Sequence, residues 1–139
     1  MNIRKLEKND YNSFMTLIND FRITKFNIDE FNTVLNKIQN NSEIWVIDIN
    51  NELIATGTII YEYKFIFNLC TLAHIEDVCV KKEHRNKGLG KKLIKHMIIE
   101  AKNKNCYKVI LDCSDKNCNF YESCGFEKRG IQMSLLFKK

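Results

Sequence analysis

Apolar and polar positions along this chain follow two rhythms, and the switches between them mark the elements. Asn2–Leu6 alternates and predicts a short first strand. Phe14, Leu17, Ile18 and Phe21 fall at helical spacing behind Asp10, a helix-capping residue type, so a helix is expected through about Asp20. Asn27–Ile28–Asp29–Glu30 offers a second cap, ahead of an apolar stripe of Phe31, Val34, Leu35 and Ile38 that ends near Asn40–Asn41. Glu43–Ile49 and Glu52–Tyr63 read as two strands joined by a tight turn at Asn50–Asn51. Gly57 inside the second strand is expected to mark a bulge.

Ala73–Val80 is the next strand. Strict alternation places His74, Glu76, Val78 and Val80 on one face and Ile75, Asp77 and Cys79 on the other. Lys81–Lys87 is a charged loop. Gly88-Leu89-Gly90 then opens a helix through about Lys104, with Leu93, Ile94, Met97, Ile98 and Ala101 on its apolar face and Asn105 as its C-cap. Tyr107–Cys113 predicts a buried strand. Asp115 or Asn117 caps a short helix holding Phe120, Tyr121 and Cys124, which Gly125 stops. Phe126–Phe137 closes the chain as one or two strands. No repeat or linker interrupts this order, which predicts an α/β fold (mixed α+β) built as one domain over residues 1–139.

Composition narrows the class. Hydrophobic residues make up 45% and aromatics 11%, which is enough to build a packed core. Twenty-two Lys and Arg against 17 Asp and Glu give +5, which fits an anionic small ligand better than nucleic acid, since the basic residues are scattered. The uncharged stretch Phe65–His74 is about half the ~20 residues a membrane span needs. The first ten residues, MNIRKLEKND, lack the apolar core of a secretory signal. The six Cys form no C-x-x-C pair and the three His do not sit at zinc-finger spacing. The expectation is a cytoplasmic protein with reduced, mostly buried thiols, no metal and no membrane or nucleic-acid partner.

The clearest chemical signal is Arg85-Asn86-Lys87-Gly88-Leu89-Gly90-Lys91, set between a strand and an amphipathic helix. Glycines let a ligand approach the backbone, and the unpaired N–H groups of a helix start attract an anion such as a pyrophosphate. Neither the P-loop nor the G-x-G-x-x-G pattern is met. The segment from His74 through the following helix resembles the acetyl-CoA motif of the GNAT acetyltransferase superfamily, here Arg85-x-x-Gly88-x-Gly90. More narrowly, HIEDVCV, GLGKKL, CYKVILDC and NFYESCGF look like the eukaryotic glucosamine-6-phosphate N-acetyltransferase family, strongly from Lys64 to Met133.

That resemblance implies a mostly antiparallel sheet flanked by helices and a direct transfer of acetyl from acetyl-CoA to an amino-sugar phosphate, on the route to UDP-N-acetylglucosamine. It implies catalytic roles for Glu76, Asp112 and Tyr121, with Tyr121 protonating the departing thiolate. It implies acetyl-CoA contacts from Val78 (whose N–H meets the thioester oxygen), Val80, Arg85, Asn86, Lys87, Gly88, Leu89, Gly90, Lys91, Asn117, Asn119 and Tyr121. Asn117 and Asn119 serve equally well as helix caps. Substrate contacts are implied for Lys64, Phe65, Glu76, Asp77, Lys108 and Asp112. Which of Glu76, Asp77 or Asp112 is the base stays open, as does a relay through water. The family's C-terminal phosphate-binding arginine falls at Leu136, so Arg22 with Lys25, Arg129, Lys138 or Lys139 takes its place. The resemblance also implies a homodimer paired through the C-terminal strand. A GNAT domain acting on another amine, or binding acetyl-CoA without turnover, remains the alternative.

Overall fold

A computed structural model describes residues 1–138, which leaves Lys139 outside the described residues. Five strands form one sheet in the order β1-β2-β3-β4-β5: β1 Asn2–Lys5, β2 Ser42–Ile49, β3 Glu52–Tyr63, β4 Thr71–Val80 and β5 Lys108–Ile110. The first four run antiparallel, and β5 joins β4 in parallel. Helices α1 Tyr11–Phe21 and α2 Ile28–Ile38 cover one face, and α3 Leu89–Asn103 covers the other. A short α4, Cys118–Ser123, follows β5. This is the expected mixed sheet flanked by helices.

Each face has its own core. Leu93, Ile94 and Met97 of α3 pack on Ile47, Ile54, Ile59 and Ile75. Leu17, Phe31 and Leu35 of α1 and α2 pack on Val46, Leu53 and Cys79. Burying each large side chain contributes roughly 1.5–3 kcal/mol. At Asn50 and Asn51 both φ angles are positive, 51° and 66°, which gives the twist a tight hairpin needs and which Asn tolerates. Asn27 caps α2 as expected, its Oδ1 accepting from the Glu30 N–H at 2.8 Å while Glu30 Oε1 accepts from the Asn27 N–H at 2.9 Å.

Several sequence expectations need correction. Asp10 occupies the cap position of α1 without bonding to it, because Arg4 and the Glu7 N–H already take its carboxylate, each at 2.8 Å. The strand expected over Tyr107–Cys113 shrinks to Lys108–Ile110, half-exposed at the sheet edge, because β4 and β5 separate after His74 and Ile110. The strands expected in Phe126–Phe137 do not form within this chain. Among the described residues no ladder partner lies beside that segment, and Ile131, Met133 and Phe137 are each 90% exposed. All six thiols are free, but only Cys79 is buried and Cys113 is exposed. The other four are half-buried, Cys106 and Cys124 among them packing against the core on the α3 face.

Candidate active site

The site is organised by a defect in β4. Thr56 pairs with Cys79 and Thr58 with Glu76, so β4 carries one more residue than β3 across this step. Asp77 takes the left-handed φ of 52° that the extra residue requires. The bulge expected at Gly57 is therefore present, with its extra residue on the partner strand. Gly57 has a separate reason to lack a side chain, since a Cβ there would stand 2.9 Å from Met97 Sδ. The bulge also overturns the strict alternation. Ile75, Val78 and Val80 share the α3 face, while Cys79 packs toward α1 and α2.

The bulge and the departure of β5 act together. β5 pairs with Leu72, Ala73 and His74 only, so from Ile75 onward β4 has no strand on that side. Glu76 lies half-buried beside this opening. Burial raises its carboxyl pKa, and the negative charges of Asp112 and Asp77 raise it further. Tyr121 of α4 is half-buried, set edge-on against Phe120 at 4.9 Å and Phe126 at 6.1 Å. Burial first, and then the charges of Cys113, Cys124 and Glu76, push its phenol above the ordinary range, so it holds its proton near neutrality. Asp112 is exposed just past β5, and Gln132 Nε2 from the C-terminal tail donates to its Oδ2 at 2.9 Å. The Gln132 contact carries no signal in the sequence. Asp112 and Asp77 thus lie within electrostatic reach of Glu76, and Glu76 within reach of Tyr121.

At the C-terminal end of β4 lies the glycine loop. Arg85 Nε donates to the Val80 carbonyl at 2.9 Å, which ties the loop to the strand end. Gly88 sits at the N-cap of α3 with φ 78°, and a Cβ there would meet nothing within 4 Å. The first turn of α3, from Leu89 and Gly90 to Lys91, therefore presents N–H groups without helical partners next to open space. Asn86 and Lys87 are exposed and Lys91 half-buried on this side. Gly90 is buried instead, its Cβ position lying 3.4 Å from Val80 Cγ2 and 3.3 Å from Phe120 Cζ. Glycine here lets α3 close against β4 and α4. Asn117 stands at the N-cap of α4 without a side-chain cap bond, and Asn119 is exposed.

The substrate residues named from sequence divide into groups. Arg22 lines a groove of about 480 Å³ between α1, α2 and the sheet that also includes Asp77 and Thr58. Its guanidinium carbon stands 6.0 Å from the Phe21 ring centre. Lys25 is exposed nearby in sequence. Lys64 and Lys108 lie elsewhere: Glu62 and Lys108 both pair with Leu72, and Lys64 Nζ bonds Glu62 at 3.1 Å. Leu72 is four residues, about 13 Å of strand, from Glu76. Phe65 is 91% exposed beside them, and Lys138 and Arg129 stand exposed on the tail. Lys64 and Lys108 are thus set apart from Glu76 along the strand. Elsewhere, Glu52, Glu83 and His84 approach one another, but Lys81 Nζ lies 3.6 and 3.8 Å from the two carboxylates and supplies their counter-charge.

The fold and this site define an acyl-transferring domain, and the comparisons agree. Residues 9–126 match the model of the acetyltransferase (GNAT) family, and the chain belongs to that family. It is 39% identical over 142 residues to the glucosamine 6-phosphate N-acetyltransferase of Arabidopsis thaliana, covering 97% of this chain and 95% of that one. It is 34% identical over 141 residues to glucosamine 6-phosphate N-acetyltransferase 1 of Dictyostelium discoideum, covering 97% and 90%. The crystal structure of the Arabidopsis enzyme superposes with a TM-score of 0.93 at 38% identity, covering 99% of this chain and 98% of the other.

Proposed function

We propose that this protein transfers acetyl from acetyl-CoA to the amine of D-glucosamine 6-phosphate, giving N-acetyl-D-glucosamine 6-phosphate and CoA. The observation that carries the reading is a carboxyl with a raised pKa beside the bulge of β4, Glu76, within electrostatic reach of a phenol that keeps its proton, Tyr121. Beyond the end of β4, the open helix start at Gly88 supports pyrophosphate binding by Asn86, Lys87, Leu89 and Lys91. The relatives named above support the choice of sugar.

In this reading the free amine attacks the thioester carbon, the N–C bond forms and the C–S bond breaks. The amine's proton passes to Glu76 or Asp112, directly or through water, with Asp77 alongside. The Val78 N–H, next to the bulge, polarises the thioester oxygen, and Tyr121 gives its proton to the sulfur. Val80, Asn117 and Asn119 flank the pantetheine arm. A homodimer completes the site: the exposed tail 131–137 gains a ladder partner from a second copy, which brings Lys64, Phe65, Lys108 and Lys138 to the opposite sugar phosphate. The free thiols fit a reducing cytoplasm, and the product fits UDP-N-acetylglucosamine synthesis. Among the described residues no helix is long and apolar enough to cross a membrane.

The test is thiol release from acetyl-CoA against a panel of amines. Glucosamine 6-phosphate should give the highest kcat/KM. Equal rates with unphosphorylated glucosamine would replace this reading with that of a broader amine acetyltransferase.

A further inference from the structure

The Sγ atoms of Cys113 and Cys118 stand 3.8 Å apart, and the Cys118 thiol also lies 3.8 Å from the Ser114 carbonyl. Cys113 is exposed and Cys118 half-buried, so reagents reach the pair from solvent. The two residues flank the single turn Asp115–Asn117, and each adjoins part of the proposed machinery. Cys113 follows Asp112, and Cys118 opens the short helix that carries Tyr121 three residues later on the same face. We propose that Cys113 and Cys118 form a peroxide-driven, reductant-reversible disulfide that displaces Tyr121 and switches the enzyme off.

The chemistry is balanced by one hydroperoxide. One thiolate attacks the peroxide O–O bond, giving a sulfenic acid and, with hydrogen peroxide, water. The second thiol attacks that sulfur, the S–S bond forms, and a second water leaves. Two thiols lose two electrons and the peroxide accepts them. Closing the pair from 3.8 Å to the ~2.05 Å of a disulfide draws the start of α4 toward the end of β5. A displacement of about 1 Å at a catalytic group costs up to about a hundredfold in rate. Around Cys113, local burial, the Cys118 thiol and the carboxylates of Asp115 and Asp112 hold the thiol above its ordinary range. Oxidation should therefore be slow near neutrality and faster as pH rises.

The experiment treats the full-length protein with hydrogen peroxide, blocks remaining thiols by alkylation and maps tryptic peptides. Lys116 lies between the two cysteines, so the bond joins Val109–Lys116 to Asn117–Lys128. Fragmentation distinguishes Cys118 from Cys124 within the second peptide. The expected result is this linked pair, with two of six thiols lost and both restored by dithiothreitol. Thiol release should fall roughly tenfold or more in step with the linkage and recover on reduction. Cys118→Ala should abolish the link and keep its activity in peroxide. Linkage to Cys124 or Cys106, oxidation of Cys113 to a sulfinic acid without a bridge, or equal inactivation of Cys118→Ala would overturn the proposal. The peptide map needs no turnover, so it stands apart from the acetyltransferase reading.

Discussion

At the residue scale, Glu76 is the most informative group. Its folded pKa is raised above the unfolded value by burial, Asp112 and Asp77, so the folded state favours the protonated carboxyl. The contribution to stability is present at low pH and lost as pH rises through the folded pKa. Glu76→Gln should therefore melt at or above the wild-type temperature at neutral pH, with a smaller gap below the ordinary carboxyl range, while thiol release collapses. A variant less stable at every pH would assign Glu76 to the scaffold. In the same direction, Asp112→Asn removes a neighbouring negative charge, so the acid limb of its residual kcat/KM profile should move to lower pH. Tyr121→Phe tests the leaving-group role. Its kcat should fall about ten- to a thousandfold with little change in acetyl-CoA affinity. Wild-type turnover, where chemistry limits the rate, would remove Tyr121 from the mechanism.

At the element scale, the two glycines of the α3 start have different jobs. Gly88 has open space around it and a positive φ, whereas Gly90 is wedged between Val80 and Phe120. Gly88→Ala places a methyl where only a ligand would meet it, at about 1–2 kcal/mol of backbone strain. It should weaken acetyl-CoA binding by calorimetry while the protein stays folded. Gly90→Val should instead lower the melting temperature, because overpacking typically costs about 1–3 kcal/mol. Equal affinity in folded Gly88→Ala would take the loop out of the ligand site. This division was hidden in the sequence, where both glycines read as close-approach positions. The strand–loop–helix order, the Asn27 cap and the Asn50–Asn51 turn were legible because each depends on residues near in sequence. The face of Val78 was not, since it depends on one extra residue in β4 against β3, a tertiary property. Nor was the shortening of the Tyr107–Cys113 strand, which depends on where β5 leaves β4.

At the scale of the whole molecule, the described chain leaves apolar surface that a single copy cannot cover. Ile131, Met133, Leu135, Leu136 and Phe137 are 74–90% exposed, and before β4 Phe65 is 91% and Phe67 64% exposed. Exposed apolar residues in this number support the proposed pairing with a second copy. Ending the chain after Gly130 should give a monomer by sedimentation. It should also raise KM for glucosamine 6-phosphate and leave acetyl-CoA affinity intact, because the glycine loop draws nothing from the tail. The tail makes few contacts with its own core, so the shortened chain should still fold. A shortened chain that remained dimeric with an unchanged KM would place the interface elsewhere. Arg22 tests the phosphate grip independently. It shares its groove with Asp77, so a substrate whose amine meets the carboxylates around the bulge has its other end within reach of the guanidinium. A guanidinium binds phosphate through two parallel hydrogen bonds, which Leu136 cannot supply. Arg22→Ala should thus raise KM for glucosamine 6-phosphate several-fold and leave that for glucosamine unchanged. If both sugars respond alike, Arg22 shapes the groove without touching phosphate, and the tail lysines carry the charge instead.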